Sequence, residues 1–368
     1  MTHALASIPF SKPFSFSSNW TKEHPKIALI TAIACAALGI AATAAVTTMT
    51  LIPTSVFTLV ASALAAFSLS IGLFVSYAKH SSSQMHLTPQ YLTQVMQQTL
   101  QDLKKGYYTS PNGQTHTLSM QPAVNGTVFF TSAGHAGRRP GNYQTVFSVI
   151  SKDCLEVARE LHARGSNPLI LDNANADDVG GGYLRGAKAQ EEDCCRRSGL
   201  SVAIDTRHGM QPYNHYPLNQ SHVGAGLYVP HVPVFRAGAD QRYQYLNAPF
   251  SVAFAVMAAV CRPQLQTVSG QLRLNDGDAH ITRERVRTIL EMAYRNGHRS
   301  LVLGAFGCGA FWNPPNHIAE IFSEVIHNEY PGCFEEIAFA ILDDHNAGKT
   351  HNPEGNYRPF VRALLEPV

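Results

Sequence analysis

The sequence predicts an α/β domain with a mixed, largely parallel sheet between helices, preceded by a helical hairpin long enough to cross a membrane twice. Three observations carry this reading. From about residue 128 to 342, short apolar runs alternate with stretches of helical spacing, the pattern of strands joined by crossover helices. Two of the apolar runs lead into glycine-rich loops, one with Gly180, Gly181 and Gly182 and one spanning Gly304 to Phe311. Residues 27–78 contain no Asp, Glu, Lys, Arg or His.

A spanning helix needs about 20 apolar residues. The uncharged stretch holds two such segments, 27–50 and 55–77, with Leu51-Ile-Pro-Thr54 between them. So short a turn brings both ends of the pair to one side. Lys22, Lys26 and Lys79 flank the hairpin and its tip is uncharged, which places both chain ends on the cytosolic side of synthesis. A cleaved signal peptide and a buried soluble hairpin are the alternatives, but a second apolar segment opposes the first and all-round apolar character the second. The expected organisation is a tail at 1–25, a transmembrane hairpin at 26–79, a linker at 80–90 and a folded domain at 91–368 that begins with a helix. The two-lobed apolar pattern resembles that of inclusion-membrane proteins secreted by obligate intracellular bacteria, which would place the chain in a host-derived vacuole membrane.

Net charge is only +2, so the chain shows no electrostatic footprint for direct nucleic-acid binding. Seven cysteines without a CxxC pair, two of them adjacent at 194 and 195, suit a reducing compartment.

Leu92, Val95, Met96, Leu100 and Leu103 give helical spacing over 91–105. Strands are expected at 128–130, 146–150, 168–171, 227–235, 249–260, 301–303 and 337–342, and helices at 152–164, 283–296 with Thr282 as cap, and from Pro314-Pro315 to about 328. The strand at 168–171 delivers Asp172, Asn173 and Asn175 to the sheet rim, where ligands of open α/β sheets bind. Gly180, Gly181 and Gly182 follow, and after seven residues Gln190-Glu191-Glu192 stands at an expected helix start. Alone, the glycines are a turn and the glutamates ordinary helix-dipole chemistry. The second loop, Gly304-Ala-Phe-Gly-Cys-Gly-Ala-Phe311 between a strand and a helix start, has the form of an anion site, although a structural turn is equally compatible with it.

Together these motifs resemble those of microbial-type poly(ADP-ribose) glycohydrolases. The triple glycine followed at seven residues by QEE, the preceding Asn-Ala-Asn, the following Cys-Arg-Arg-Ser, the GCGAF loop, the QQTLQDLKKGYYTSPNGQ stretch and NYRPF at 356–360 all carry the likeness, which runs from about residue 90 to 362. It implies a macrodomain-like three-layer α/β/α sandwich. It also implies hydrolysis of ribose–ribose O-glycosidic bonds, with Glu192 as general acid and base and Glu191 on the ribose hydroxyls. Asn175 would fix the terminal ribose, Gly180 to Gly182 and Gln190 would shape its pocket, and Gly304, Gly307, Cys308 and Gly309 would hold the diphosphate. Phe311 would pack against the ribose or adenine. The expected partners are poly(ADP-ribose) or an ADP-ribosylated substrate and, through 27–78, a lipid bilayer. No cofactor or metal is expected.

Two other functions use the same pocket: an ADP-ribose reader tethered to a membrane, and a hydrolase of singly ADP-ribosylated proteins, nucleic acids or metabolites. A reader needs the glycine loops but not the glutamates. His208, His215 and His222, with His231 nearby, suit a pocket-lining loop better than a zinc site, because no second ligand class lies at zinc-like spacing. Asp343-Asp344-His345-Asn346 either approaches the ligand or simply ends the last strand.

Overall fold

The computed structural model describes residues 87–131, 137–139, 141–218, 223–342 and 349–366. The tail at 1–25, the hairpin at 26–79, His222 and Asp343-Asp344-His345-Asn346 lie outside the described residues. Among the described residues no helix is long and apolar enough to cross a membrane.

The first helix, α1 (Pro89–Lys105), starts two residues before the position its apolar spacing predicts. Thr88 caps it by accepting the Tyr91 N–H, Pro89 stands at its first position, where no donor is missed, and Gly106 ends it in the left-handed conformation. The stretch after it forms a two-stranded hairpin of β1 (Tyr107–Thr109) and β2 (Thr115–Thr117). A short helix, α2 (Gln121–Gly126), leads into the main sheet.

That sheet has seven strands. In chain order they are β3 (Val128–Phe130), β4 (Val146–Ile150), β5 (Pro168–Ala174), β6 (Gly226–Arg236), β7 (Tyr245–Ala258), β10 (Ser300–Leu303) and β11 (Glu336–Ala340). Their spatial order is β3-β6-β7-β5-β10-β11-β4. The run from β7 to β4 is parallel, while β6 joins β7 and β3 antiparallel, so the sheet is mixed as expected. A separate hairpin, β8 (Leu265–Val268) and β9 (Gln271–Leu274), was not legible in the sequence.

Alternate strand residues feed opposite layers, as the period of two requires. Leu169, Leu171, Leu301, Leu303, Ile337 and Phe339 pack on one face against α6 (Asp276–Arg295), α7 (Pro315–Glu329) and α8 (Tyr357–Leu365). Ile170, Val302, Ala338 and Phe254 face the other layer, formed by α3 (Cys154–Ala163), α4 (Gln190–Arg197), α5 (Leu200–Ile204) and α1. The result is the three-layer sandwich.

The predicted start of the next long helix moves by several residues. Helix α6 begins at Asp276, not after Thr282, because the Asn275 side chain caps it by accepting the Asp278 N–H at 2.8 Å. Thr282 lies inside the helix, and its hydroxyl bonds back to the Asp278 carbonyl at 2.8 Å. That local bond satisfies a threonine without any cap.

The register of β5 creates the site. On one side it pairs with β7 from Leu169 to Ala174, but on the other it pairs with β10 only from Pro168 to Ile170. Beyond Ile170 the sheet parts, and the crevice opens at the carboxyl ends of the strands.

On the opposite face, Phe322 of α7 is fully buried against Phe306, Phe339 and Phe360, with ring centroids 5.3–6.5 Å apart. It holds the helix behind the second glycine loop. Phe322→Ala is expected to lower unfolding free energy by about 3–5 kcal/mol, the usual cost of an unfilled aromatic core site. Chemical denaturation measures it; a loss below about 1 kcal/mol would mean that this layer closes over the gap.

Candidate active site

Where β10 leaves β5, the Gln190 side chain takes over its role. Its amide donates to the Leu171 carbonyl at 2.9 Å and its oxygen accepts the Asn173 N–H at 2.8 Å. The next two side chains of α4 act alike. Glu191 Oε2 accepts the Asn175 N–H at 2.9 Å, and Glu192 Oε1 accepts the Gly182 N–H at 2.8 Å. Three consecutive side chains of the first helical turn thus fasten the end of β5 and the loop after it. Although adjacent residues leave a helix about 100° apart, side chains there lean toward the N-terminus. Both carboxylates can therefore reach the same loop.

The glycines make this approach possible. A Cβ on Gly181 would lie 2.5 Å from Glu192 Oε1 and 2.8 Å from Glu191 Oε2. Gly180 and Gly181 have φ of +70° and +58°, a region costly for other residues. The Asn175 side-chain oxygen accepts the Asp177 and Asp178 N–H groups at 2.9 and 3.0 Å, starting the turn that leads to them.

Glu191 and Glu192 are only 3% and 7% exposed, and among the described residues the Glu191 Oε1 and Glu192 Oε2 atoms have no hydrogen-bond partner. Asp172 near the end of β5 is fully buried, with neither carboxyl oxygen bonded among the described residues. None of the three carboxyls forms an ion pair among the described residues. The arginines of α4 are engaged elsewhere: Arg197 with Asp153, Glu156 and Asp193, and Arg196 with the Ala187 carbonyl and the Tyr243 ring. Burial, then the neighbouring Glu192, raises the proton affinity of Asp172. Burial, then Asp172, raises that of Glu191. The buried Tyr216 hydroxyl, without a hydrogen-bond partner among the described residues, is raised by burial and by the charges of Glu191 and Asp172.

Behind the glycine loop, Tyr183 anchors the chain. Its hydroxyl donates to Asp205 Oδ2 at 2.7 Å and lies 2.7 Å from His208 Nε2, while Arg207 clasps Asp205. Sequence reading placed Asp172 at the rim but missed its burial, and it missed Tyr183, Asp205 and Tyr216. Of the histidines grouped in the sequence, His208 joins this cluster, His215 stacks on Phe129, and His231 is exposed at a bulge of β6.

The second loop runs from Gly304 to α7. Gly307 has φ +72°, and a Cβ there would lie 2.4 Å from the Ala259 Cβ. Gly309 faces open space, so a small residue there leaves room rather than relieving a clash. Cys308 and Phe306 are buried and Phe311 is half-buried. Asn313, which sequence reading also missed, is fully buried and donates to the Val260 and Gly307 carbonyls at 2.8 and 3.1 Å. The His351 Nε2 bonds the Cys308 carbonyl at 3.0 Å. Among the described residues no group of three or more His, Cys, Asp or Glu side chains could hold a metal ion.

A pair of buried carboxyls beside glycine-rich loops at the open end of a mixed sheet defines a class, α/β proteins whose site lies at the carboxyl ends of the strands. The comparisons with known proteins give the family. The family model for the microbial-type PARG catalytic domain matches residues 96–237. Poly(ADP-ribose) glycohydrolase from Thermomonospora curvata bound to the inhibitor ADP-HPD is 30% identical, with 74% of this chain and 98% of that chain covered and a TM-score of 0.60. The same enzyme in a further structure gives 30% identity, 74% and 99% coverage and a TM-score of 0.62. The Deinococcus radiodurans enzyme in complex with ADP-ribose gives 32% identity, 69% and 100% coverage and a TM-score of 0.56. No curated protein matches the chain by sequence. The chain belongs to the microbial-type poly(ADP-ribose) glycohydrolases and carries their hydrolase domain, a glycosidase.

The buried Asp172 has a testable cost. Its proton affinity in the fold exceeds that in the unfolded chain, where the value is about 3.9. The native state therefore keeps a proton that the unfolded chain releases, so stability is greatest below about pH 4 in this respect and falls as pH rises through the folded value. Asp172→Asn should raise the melting temperature at pH 7–8, with the gain vanishing toward pH 4. A pH series of thermal melts checks this; a gain that does not vary with pH would show that Asp172 is charged in the fold.

Proposed function

We propose that Glu192 is the general acid and base that cleaves ribose–ribose O-glycosidic bonds of poly(ADP-ribose) and releases ADP-ribose. One observation carries the assignment: Glu192 has one oxygen held by the Gly182 N–H while the other is buried and unbonded. Such a carboxyl is aimed without being used up. It can give a proton to the leaving ribose oxygen as the glycosidic bond breaks and take one from the water that adds to the anomeric carbon. Glu191, whose raised proton affinity lets it donate as well as accept, would hold ribose hydroxyls beside that bond. Asn175 would contribute at the terminal ribose, Gln190 and Gly180 to Gly182 would shape its pocket, and Phe311 would pack against it. The loop of Gly304, Gly307, Cys308 and Gly309 would take the diphosphate on backbone N–H groups, Gly309 supplying the open space. The complex of the Deinococcus radiodurans enzyme with ADP-ribose supports a ligand of this chemistry.

Glu192→Gln keeps the shape and the Gly182 contact but cannot cycle a proton. ADP-ribose binding should persist while turnover of polymer falls by about 10² to 10⁴. Release of ADP-ribose at the wild-type rate would move the proton transfer to another group, with Glu191 first in line.

The uncharged stretch supports a membrane-anchored form of this enzyme. We infer a two-pass hairpin at 27–78 with both termini on one face, the glycohydrolase facing the compartment that holds its polymer, since a polyanion does not cross a bilayer. If the chain is secreted by an intracellular bacterium, that compartment is the host cytosol. With tags at both ends of the membrane-inserted protein, protease should cut both or spare both. One tag cut and the other spared would mean a single span.

A further inference from the structure

We propose that Trp312, with Arg262, forms a docking platform for a second ADP-ribose unit, outside the pocket that holds the unit being released. This rests on the polymer-cleaving reading above. Trp312 directly follows Phe311 in the second glycine loop, yet its indole is 48% exposed. A large apolar ring left in water at the rim of a site needs a reason. Its backbone makes the question sharper. Trp312 has φ +65° and Arg262 has φ +51°, conformations that L residues with bulky side chains rarely adopt. Strain of this kind persists where surrounding structure enforces it, and it clusters at ligand-binding positions.

The enforcing contacts are in place. The Arg262 N–H donates to the Phe311 carbonyl at 2.9 Å, and Asn313 bonds the Val260 carbonyl at 2.8 Å, so the loop after β7 and the loop after β10 are tied together on both sides of Trp312. The His351 ring lies parallel to the indole, with 12° between planes and 5.9 Å between centroids. His351 is itself buried and bonded to the Cys308 carbonyl, so the indole is propped on the candidate diphosphate loop. The exposed Arg262 guanidinium sits 4.7 Å from the indole centroid.

An indole fixed in this way offers a π-surface for a purine, and the neighbouring guanidinium offers paired donors for a phosphate. Each unit of poly(ADP-ribose) beyond the one in the pocket carries both. Arg262 would swing from the indole to the diphosphate as the base arrives. The platform would therefore act on polymer and not on the free monomer.

The test uses the full-length protein and two ligands, ADP-ribose and long poly(ADP-ribose). Trp312→Gly removes the ring at a φ that glycine adopts freely, so the fold keeps its backbone. It should raise KM for polymer roughly 5- to 100-fold, the usual worth of one stacked base, and leave kcat and the calorimetric Kd for ADP-ribose within about twofold. Trp312→Tyr should restore most of the polymer KM, and Arg262→Gln should raise KM and flatten its salt dependence. An unchanged polymer KM overturns the proposal, and so does a parallel loss of monomer affinity, which would make the ring a prop of the pocket. If the wild-type protein neither binds ADP-ribose nor cleaves polymer, the functional reading fails first and this inference with it.

Discussion

Three side chains in one helical turn decide where everything else in the site stands. Gln190, Glu191 and Glu192 each accept a backbone N–H, from Asn173, Asn175 and Gly182 in turn. The end of β5 and the loop beyond it are thereby fixed to α4 at the place where β10 no longer supports them. Backbone donors at a parting of strands must be satisfied, or each costs about as much as a lost hydrogen bond. Here the satisfaction comes from side chains, and two of those are carboxylates. The device that closes the sheet also places the acidic groups, so truncating either glutamate would loosen the strand end or the glycine loop as well as remove a carboxyl.

The same clamp explains the surroundings. Carboxylates reaching back from a helix start leave no room for a Cβ at Gly181. The helix itself is held from the far side: Thr99 of α1 donates to the Arg196 carbonyl at 2.7 Å, and Arg236 bonds Thr99 at 2.9 Å. Gly186, after the glycine loop, packs so close to the Pro89 backbone that a Cβ would lie 2.3 Å from its carbonyl oxygen. The N-terminal helix is thus a part of the site's scaffold and not an appendage to it.

Legibility in the sequence followed the range of the interactions. The central strands were readable because each is a short apolar run bounded by polar or glycine residues, and both glycine loops because the motif is local. The β8–β9 hairpin was not, since Leu265 to Val268 are all exposed and no face imposes an alternation. The Tyr183 anchor escaped notice because its partners Asp205 and His208 stand 22 and 25 residues further on. Asn313 sits before two prolines and reads as helix punctuation; only the fold shows it holding two loops together. Asp172 looked like a polar residue leaving the sheet. Its burial arises when α4 packs over the strand end, an event that no local pattern records.

That burial leaves three carboxyls together without a cation among the described residues, an arrangement that stability alone would not retain. A lysine or arginine among them would relieve the repulsion at once. It would also favour the ionised forms of Asp172 and Glu191. Leaving the cation out keeps proton affinities high for Asp172 and Glu191, by burial and mutual repulsion, and so keeps protons in the site near neutral pH. The anionic ligand would then meet neutral acids and backbone N–H groups instead of an ion pair. For a glycosidase that must give up a proton before water enters, a site that stores protons suits the chemistry better than a neutralised one. The weakness it introduces is confined to one strand end, where the three-residue clamp on α4 already holds the chain.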